Sequence, residues 1–268
     1  MDSKTKARKT LVTLLGTGTS QGVPLIGCGC RVCRSADVRD HRLRTAAMIE
    51  VEGRRFVIDA GPDFRQQMLR EGVARLSAIL LTHKHKDHTG GIDDVRALNF
   101  VDYPTVRPVD IYASAVTADC VRKDYDYAFV PPQHRYRGVP EIRLHEICGE
   151  EPFAIEGITI TPIRGSHLGL EVLGFRIGEV AYLTDFKQIA EEEIEKLRGV
   201  RLLVINALRP TPHDSHFSVA EALDVIHRVA PERAYLTHMS HEIGLHAEVE
   251  KELPEGVYLG YDGLKIEI

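Results

Sequence analysis

Thr82-His83-Lys84-His85-Lys86-Asp87-His88-Thr89-Gly90-Gly91 decides the reading of this 268-residue chain. Three imidazoles and a carboxylate fall within six positions, directly after the apolar run Ala78 to Leu81, which reads as a short strand. Neutral imidazole and carboxylate are ligands that suit zinc, and also manganese, iron or nickel. Alternation lets His83 and His85 point to one side while Asp87 and His88 turn toward a second centre. Gly90 and Gly91 let backbone pass close to such a centre and open a helix. The competing reading, a surface turn with scattered histidines, is opposed by the residues downstream.

Apolar runs that end in a polar residue recur along the chain. Ala181 to Leu183 leads into Thr184-Asp185, Leu202 to Ile205 into Asn206, and Ala234 to Leu236 into Thr237-His238. Strand ends are rigid and present side chains at a rim where loops leave room for a ligand. Leu11 to Leu15 reads as a further strand, and Ala46 to Val51 with Arg55 to Ile58 as a hairpin around Gly53. Helical patterns cover Asp63 to Glu71, stopped by Gly72, then Lys187 to Leu197, Ser218 to Val229 and Ala247 to Leu253. This order implies an α/β fold, two sheets face to face with helices outside, in one domain over residues 1–268. The Pro- and Tyr-rich stretch from Tyr103 to Pro140 is expected to supply loops over the site, and Glu191-Glu192-Glu193 a solvated helix face.

Composition narrows the function. The chain is 43% hydrophobic with a net charge of -5, so a broad nucleic-acid-wrapping face is not expected. No apolar run approaches the roughly 20 residues of a membrane span. The opening MDSKTKARKT lacks the apolar core of a signal peptide, which points to the cytoplasm.

His-x-His-x-Asp-His resembles the signature of the metallo-β-lactamase superfamily. The resemblance extends to Gly165-Ser166-His167, Leu183-Thr184-Asp185-Phe186 and Leu236-Thr237-His238. It implies an αββα sandwich of two facing mixed sheets, with two catalytic divalent metals. His83, His85 and His167 would hold one, Asp87, His88 and His238 the other, and Asp185 would bridge them. A carboxylate at the bridging position is similar to the phosphodiesterase and glyoxalase-like branches, whereas many antibiotic-hydrolysing members carry cysteine there. Ile58-Asp59-Ala60-Gly61 also resembles the family's Asp-x-Gly turn, with Asp59 expected to orient a ligand through a hydrogen bond.

Three of the five cysteines crowd into Cys28-Gly-Cys30-Arg-Val-Cys33. One more ligand would close a tetrahedral structural zinc site, and His241, three residues past His238, is the expected fourth. Reduced loop cysteines without metal are the alternative. Together with Gly16-Thr-Gly18-Thr-Ser20-Gln-Gly22-Val-Pro24, this cluster resembles the PhnP-type phosphodiesterases, which open cyclic phosphates of ribose. The glycines resemble a phosphate loop, yet no Gly-Lys-Ser/Thr follows, and a tight turn beneath the metals is expected instead.

Arg209-Pro-Thr-Pro-His213-Asp214-Ser-His216-Phe217-Ser218 precedes a helix. By resemblance, His216 matches the histidine that phosphodiesterase members use near the substrate phosphate. Asp87 and His216 are the expected catalytic residues. A hydroxide bridging zinc or manganese (nickel and iron being alternatives) would attack, and His216 would assist the leaving oxygen. Asp214 and Ser218 are candidates to orient His216, and Ser218 equally an N-cap. His41, His134, His145, His213, His227 and His246 receive no chemistry, while Arg135 and Arg137 are candidates to meet a terminal phosphate. The expected substrate is a small phosphodiester, a cyclic ribose phosphate or a 2′,3′-cyclic nucleotide, with a homodimer as a possible assembly. Rival readings are a thioesterase or lactonase, a transfer-RNA 3′-processing nuclease, and a non-catalytic metal- or nucleotide-binding module.

Overall fold

The computed structural model describes residues 9–134, 136 and 138–268. Thr10–Gly16 (β1), Ala46–Val51 (β2), Arg54–Ile58 (β3), Ala78–Leu80 (β4), Val109–Ser114 (β5) and Ile142–Ile147 (β6) lie side by side in chain order. The pairing is antiparallel up to β3 and parallel from β3 to β6. Phe153–Ile155 (β7), Ile158–His167 (β8), Leu170–Ile177 (β9), Val180–Leu183 (β10), Gln188–Ile189 (β11), Leu202–Asn206 (β12), Arg233–Thr237 (β13) and Val257–Leu259 (β14) form a second sheet. Its order is β11-β8-β9-β10-β12-β13-β14, with β7 beside β8, and it turns parallel at β10–β12. The last strand, Lys265–Glu267 (β15), returns to the first sheet and pairs with β1.

Strands buried on both faces explain the continuous apolar runs. Along β2, Ala47, Ile49 and Val51 face the second sheet, where they meet a core that includes Phe175, Tyr182 and Val204. The intervening Ala46 and Met48 turn outward to pack with Phe64, Met68 and Val121. In β12, Val204 faces inward, while Leu203 and Ile205 pack outward against Ala222 and Val225. Period-2 alternation thus feeds three apolar layers. The αββα sandwich follows from it.

Helices Phe64–Glu71 (α1), Lys86–Thr89 (α2), Val95–Asn99 (α3), Ala115–Asp124 (α4) and Asp126–Phe129 (α5) fall in the connections of the first sheet. Glu191–Glu195 (α6), Val219–Val229 (α7) and His246–Val249 (α8) fall in those of the second. α1 stops where expected: Gly72 takes a left-handed φ of 62° and its N–H returns to the carbonyls of Leu69 and Met68. Ser218 starts α7 with a capping box, its hydroxyl accepting from the Glu221 N–H. That settles Ser218 as an N-cap rather than a partner of His216.

Four expectations need correction. The pattern Lys187 to Leu197 is not one helix, because Gln188 and Ile189 pair with Ser166 and Gly165 before α6 begins. Ala247 to Leu253 shortens to α8, which starts at His246. Glu193 is not solvated: it is 3% exposed and accepts from the Arg164 backbone N–H, the Arg164 guanidinium and Lys196. Tyr103 to Pro140 supplies β5, α4 and α5, and Tyr125 anchors it by donating to the Thr89 carbonyl at 2.7 Å. Through Tyr125 its described residues pack against the turn that carries Thr89.

Candidate metal centre and active site

Parallel strands ending in register set the site. Ile58 pairs with Leu80, Leu183 with Ile205 and Asn206 with Thr237, so the residues that follow emerge at one rim. Asp59, Asp185 and His238 take φ of 67°, 63° and 55° there. Left-handed backbone at a non-glycine residue costs about 1–3 kcal/mol and persists where its surroundings enforce it. Here it turns each side chain off the end of its strand. The turns also touch: a Cβ on Gly61 would lie 1.9 Å from the Asp87 carbonyl oxygen, and one on Gly91 2.0 Å from that of Gly61. Only glycine permits the Asp59–Gly61 turn and the His-rich turn to pack this closely.

Side-chain oxygens and nitrogens of Asp87, His88, Asp185 and His238 all fall within 4.8 Å of one another. His88 Nε2 is 3.1 Å from Asp87 Oδ2 and 3.3 Å from Asp185 Oδ1, and His238 Nε2 is 3.2 Å from Asp185 Oδ1. A tetrahedral centre with bonds of about 2.0–2.1 Å separates its ligand atoms by about 3.3 Å. His88 Nε2 and His238 Nε2 make no well-directed hydrogen bond among the described residues and face the carboxylates of Asp87 and Asp185, a donor set that suits a cation. Beside them, His83 Nε2 lies 2.9 Å from His85 Nδ1 and 3.9 Å from Asp185 Oδ2. The His167 ring centroid is 5.1 Å from that of His85. All seven expected ligands converge, with Asp185 between the two groups.

Hydrogen bonds on the far side of the rings fix which nitrogen faces inward. A carbonyl only accepts, so the 2.7 Å contact to the Ser215 carbonyl puts the proton of His167 on Nδ1 and leaves Nε2 as a ligand. His88 Nδ1 donates to Asp59 Oδ2 at 2.6 Å. The Thr82 hydroxyl donates to Asp59 and so accepts from His83 Nδ1 at 3.0 Å. Asp59 is therefore the orienting residue expected of it, serving His88 directly and His83 through Thr82. Sequence reasoning passed over Thr82 and Ser215, whose roles run through a hydroxyl and a peptide.

Charge in the cluster is arranged for cations. Burial opposes ionisation of His88, yet Asp185, Asp59 and Asp87 hold its pKa well above the usual histidine range. Burial likewise opposes charge on His238, but Asp185 and Asp87 raise it to about 9. Asp185 and Asp87 stay well below the usual carboxylate range, the pull of His238 and His88 exceeding the effect of burial. On the other side, burial and His88 push His83 well down, and burial with His167 lowers His85. Those imidazoles are neutral, the form that binds metal.

A cavity of about 350 Å³ opens over the cluster. Among the described residues, its walls beyond the ligands are Thr19, Ser20, Leu208, His213, Ser215 and His216. The Gly16–Gly22 loop thus forms a wall. His216 is buried between His167 and His238, 4.6 Å from each by ring centroid, with Nδ1 3.8 Å from Asp185 Oδ2. Burial, then His238, pushes its pKa down to about 3. Asp214 is exposed, His134 and Tyr136 are exposed, and Arg135 and Arg137 lie outside the described residues.

Comparison with known proteins agrees with this geometry. Residues 54–239 match the family model of the β-lactamase superfamily domain. The chain belongs to the metallo-β-lactamase superfamily. Within this superfamily it resembles the crystal structure of a diphosphatase from the PhnP family, with a TM-score of 0.89 and 38% identity over 97% of each chain. It is 44% identical over 94% of its length to the octanoyltransferase of Porphyromonas gingivalis, but spans only 50% of that protein. Ribonuclease Z of Mycobacterium sp. (strain KMS) is 25% identical over 96% of this chain and 95% of its own. The chain thus carries the metallo-β-lactamase fold, a fold that implies divalent metals. No helix among the described residues is long and apolar enough to cross a membrane.

This superfamily member carries a second cluster. The sulfurs of Cys28 and Cys30 each lie 3.3 Å from His241 Nδ1, and that of Cys33 3.6 Å. Zinc with bonds of about 2.3 Å to sulfur and 2.0 Å to nitrogen spaces a tetrahedral S–N edge at about 3.5 Å. Backbone N–H groups of Cys33 and Leu25 donate to the sulfurs of Cys30 and Cys33. The Cys33 N–H, followed by His241, pulls the Cys30 thiol down to about 6, while burial pushes Cys33 up to about 11. Four such ligands would fill a tetrahedral ion's coordination and leave no open position for water.

Proposed function

We propose that this chain hydrolyses small phosphodiesters, cyclic ribose phosphates or 2′,3′-cyclic nucleotides, at the His/Asp cluster. The observation that carries this reading is the place of His216, buried beside Asp185 yet lining the cavity. Thioester hydrolysis has less need of such a group, because a thiolate departs more readily than a sugar alkoxide. Two divalent ions, zinc or manganese, with nickel or iron as substitutes, supply Lewis acidity and lower the pKa of water to about 7 when bound. His83, His85 and His167 hold one and Asp87, His88 and His238 the other, with Asp185 shared. A third ion, zinc, fits the Cys3His group. The free thiols suit a reducing cytoplasm.

The free His216 ring is neutral. It stabilises charge growing on the leaving oxygen as an N–H donor, a contribution of roughly 100- to 1,000-fold in rate for such donors. A phosphoryl anion beside it raises its pKa toward the proton-donating form. Asp87 stays ionised and adds negative charge where cations must sit.

Two relatives favour neighbouring readings. The PhnP-family diphosphatase supports cleavage of a P–O–P link by the same machinery. The octanoyltransferase supports acyl chemistry, although its name describes a protein twice as long as the match. Metal-replete protein offered a cyclic nucleotide, a diphosphate, an octanoyl thioester and a transfer-RNA precursor separates these readings. Turnover of the thioester alone would overturn the phosphodiesterase reading.

A further inference from the structure

His213 was expected to have no chemistry, but it lines the metal cavity beside His216, the two rings 5.5 Å apart and 20° from parallel. The Ser215 peptide fixes its state. The backbone N–H of Ser215 donates to His213 Nδ1 at 3.2 Å, and the Ser215 hydroxyl lies 2.9 Å from the same atom. A backbone N–H only donates, so Nδ1 is the acceptor and the ring's hydrogen is on Nε2. The carbonyl of that same Ser215 orients His167. One residue therefore sets the tautomers of a metal-facing and a cavity-facing histidine in opposite senses.

The loop that presents His213 is braced. Arg209 pairs with Glu242, next to His241 of the cysteine cluster, and its other terminal nitrogen donates to the Pro212 carbonyl at 3.2 Å. Among the described residues, no lysine or arginine lines the cavity. An uncharged oxygen is thus the acceptor best matched to a neutral N–H at that wall.

We propose that His213 is a specificity-determining residue: its Nε2–H donates to a sugar oxygen on the leaving side of the substrate. This rests on the phosphodiesterase reading. His216 serves the bond that breaks, and His213, stacked outside it and half-buried, holds the ribose, which stays joined to phosphorus through its other ester oxygen when the ring opens. The contact exists before and during bond cleavage, so its loss appears mainly in KM.

The test compares wild type, His213→Ala and His213→Gln, all metal-replete, on a 2′,3′-cyclic nucleotide and on bis(p-nitrophenyl) phosphate, which has no sugar. For the cyclic nucleotide, His213→Ala is expected to raise KM roughly threefold to tenfold, the size of one neutral hydrogen bond. The Gln variant, which keeps an N–H, recovers part of the loss. For bis(p-nitrophenyl) phosphate both variants stay within about twofold of wild type. Equal losses on the two substrates, or none on either, would overturn the proposal. Long-range ¹H–¹⁵N spectra of the substrate-free protein test it independently: a His213 proton on Nδ1 contradicts it even if no phosphodiester is cleaved. A wild type inert toward both substrates but with His213 protonated on Nε2 defeats the phosphodiesterase reading and, with it, the sugar contact.

Discussion

Asp59 Oδ2 lies 2.6 Å from His88 Nδ1, with both side chains fully buried at the ends of adjacent turns. This contact holds the ring so that Nε2 faces Asp87 and Asp185. Burial pushes the Asp59 carboxyl up while His88 and Thr82 pull against it. Replacing Asp59 by Asn keeps the shape but weakens the acceptor. Metal affinity is expected to fall about 10- to 100-fold, as for other residues that orient ligands. Competition against a chromophoric chelator measures it; unchanged affinity would remove Asp59 from the account.

Metal binding is expected to strengthen as pH rises. In the metal-free protein His88 is held well above the usual histidine range and His238 at about 9, so both are protonated at neutral pH. A metal must displace those protons. Each proton released makes affinity about tenfold stronger per pH unit below the pKa of its site, up to about pH 9 for His238. Calorimetric titrations in two buffers of different ionisation enthalpy count the protons. Binding with no proton release would contradict this charge arrangement.

The Cys30 thiol, drawn down to about 6 by the Cys33 N–H and then by His241, is largely thiolate at pH 7. Cys33, pushed up to about 11 by burial, is not. In chelator-treated protein, iodoacetamide is expected to label Cys30 well before Cys33 at pH 7, because the thiolate is the nucleophile. Zinc is expected to protect both. Peptide mass spectrometry reads the order, and equal labelling with or without zinc would argue against a closed metal site.

Glu193 accepts from Arg164 and Lys196 in a buried position, whereas its neighbour Glu192 is exposed. Glu193→Ala is expected to lose about 1–3 kcal/mol, since it removes the charged acceptor shared by the Arg164 backbone N–H and two part-exposed cations. Glu192→Ala should stay within about 0.5 kcal/mol. Urea unfolding of the two variants checks the contrast.

The candidate ligands were legible because metal chemistry restricts residue types: His83, His85, Asp87 and His88 stand together, His167 ends its strand, and Asp185 and His238 follow the ends of theirs. The sandwich was legible because strands buried on both sides need unbroken apolar runs. Other features leave no such mark. Three identical letters at 191–193 hide that only the third faces inward. Gln188 and Ile189 pair with a partner over twenty residues away, which local helix propensity cannot anticipate. Ser215 acts through its peptide, atoms every residue shares, so the state of His213 becomes visible only once the loop is folded.

The central claim is that the His/Asp cluster cleaves phosphodiesters with help from His216. The most direct measurement is kcat/KM for a 2′,3′-cyclic nucleotide, wild type beside His216→Ala, with metal content determined on the same samples. Wild type is expected to turn the substrate over efficiently, and the variant to lose roughly 100- to 1,000-fold with its metal retained. Equal activity in the two proteins at equal metal content would contradict that claim.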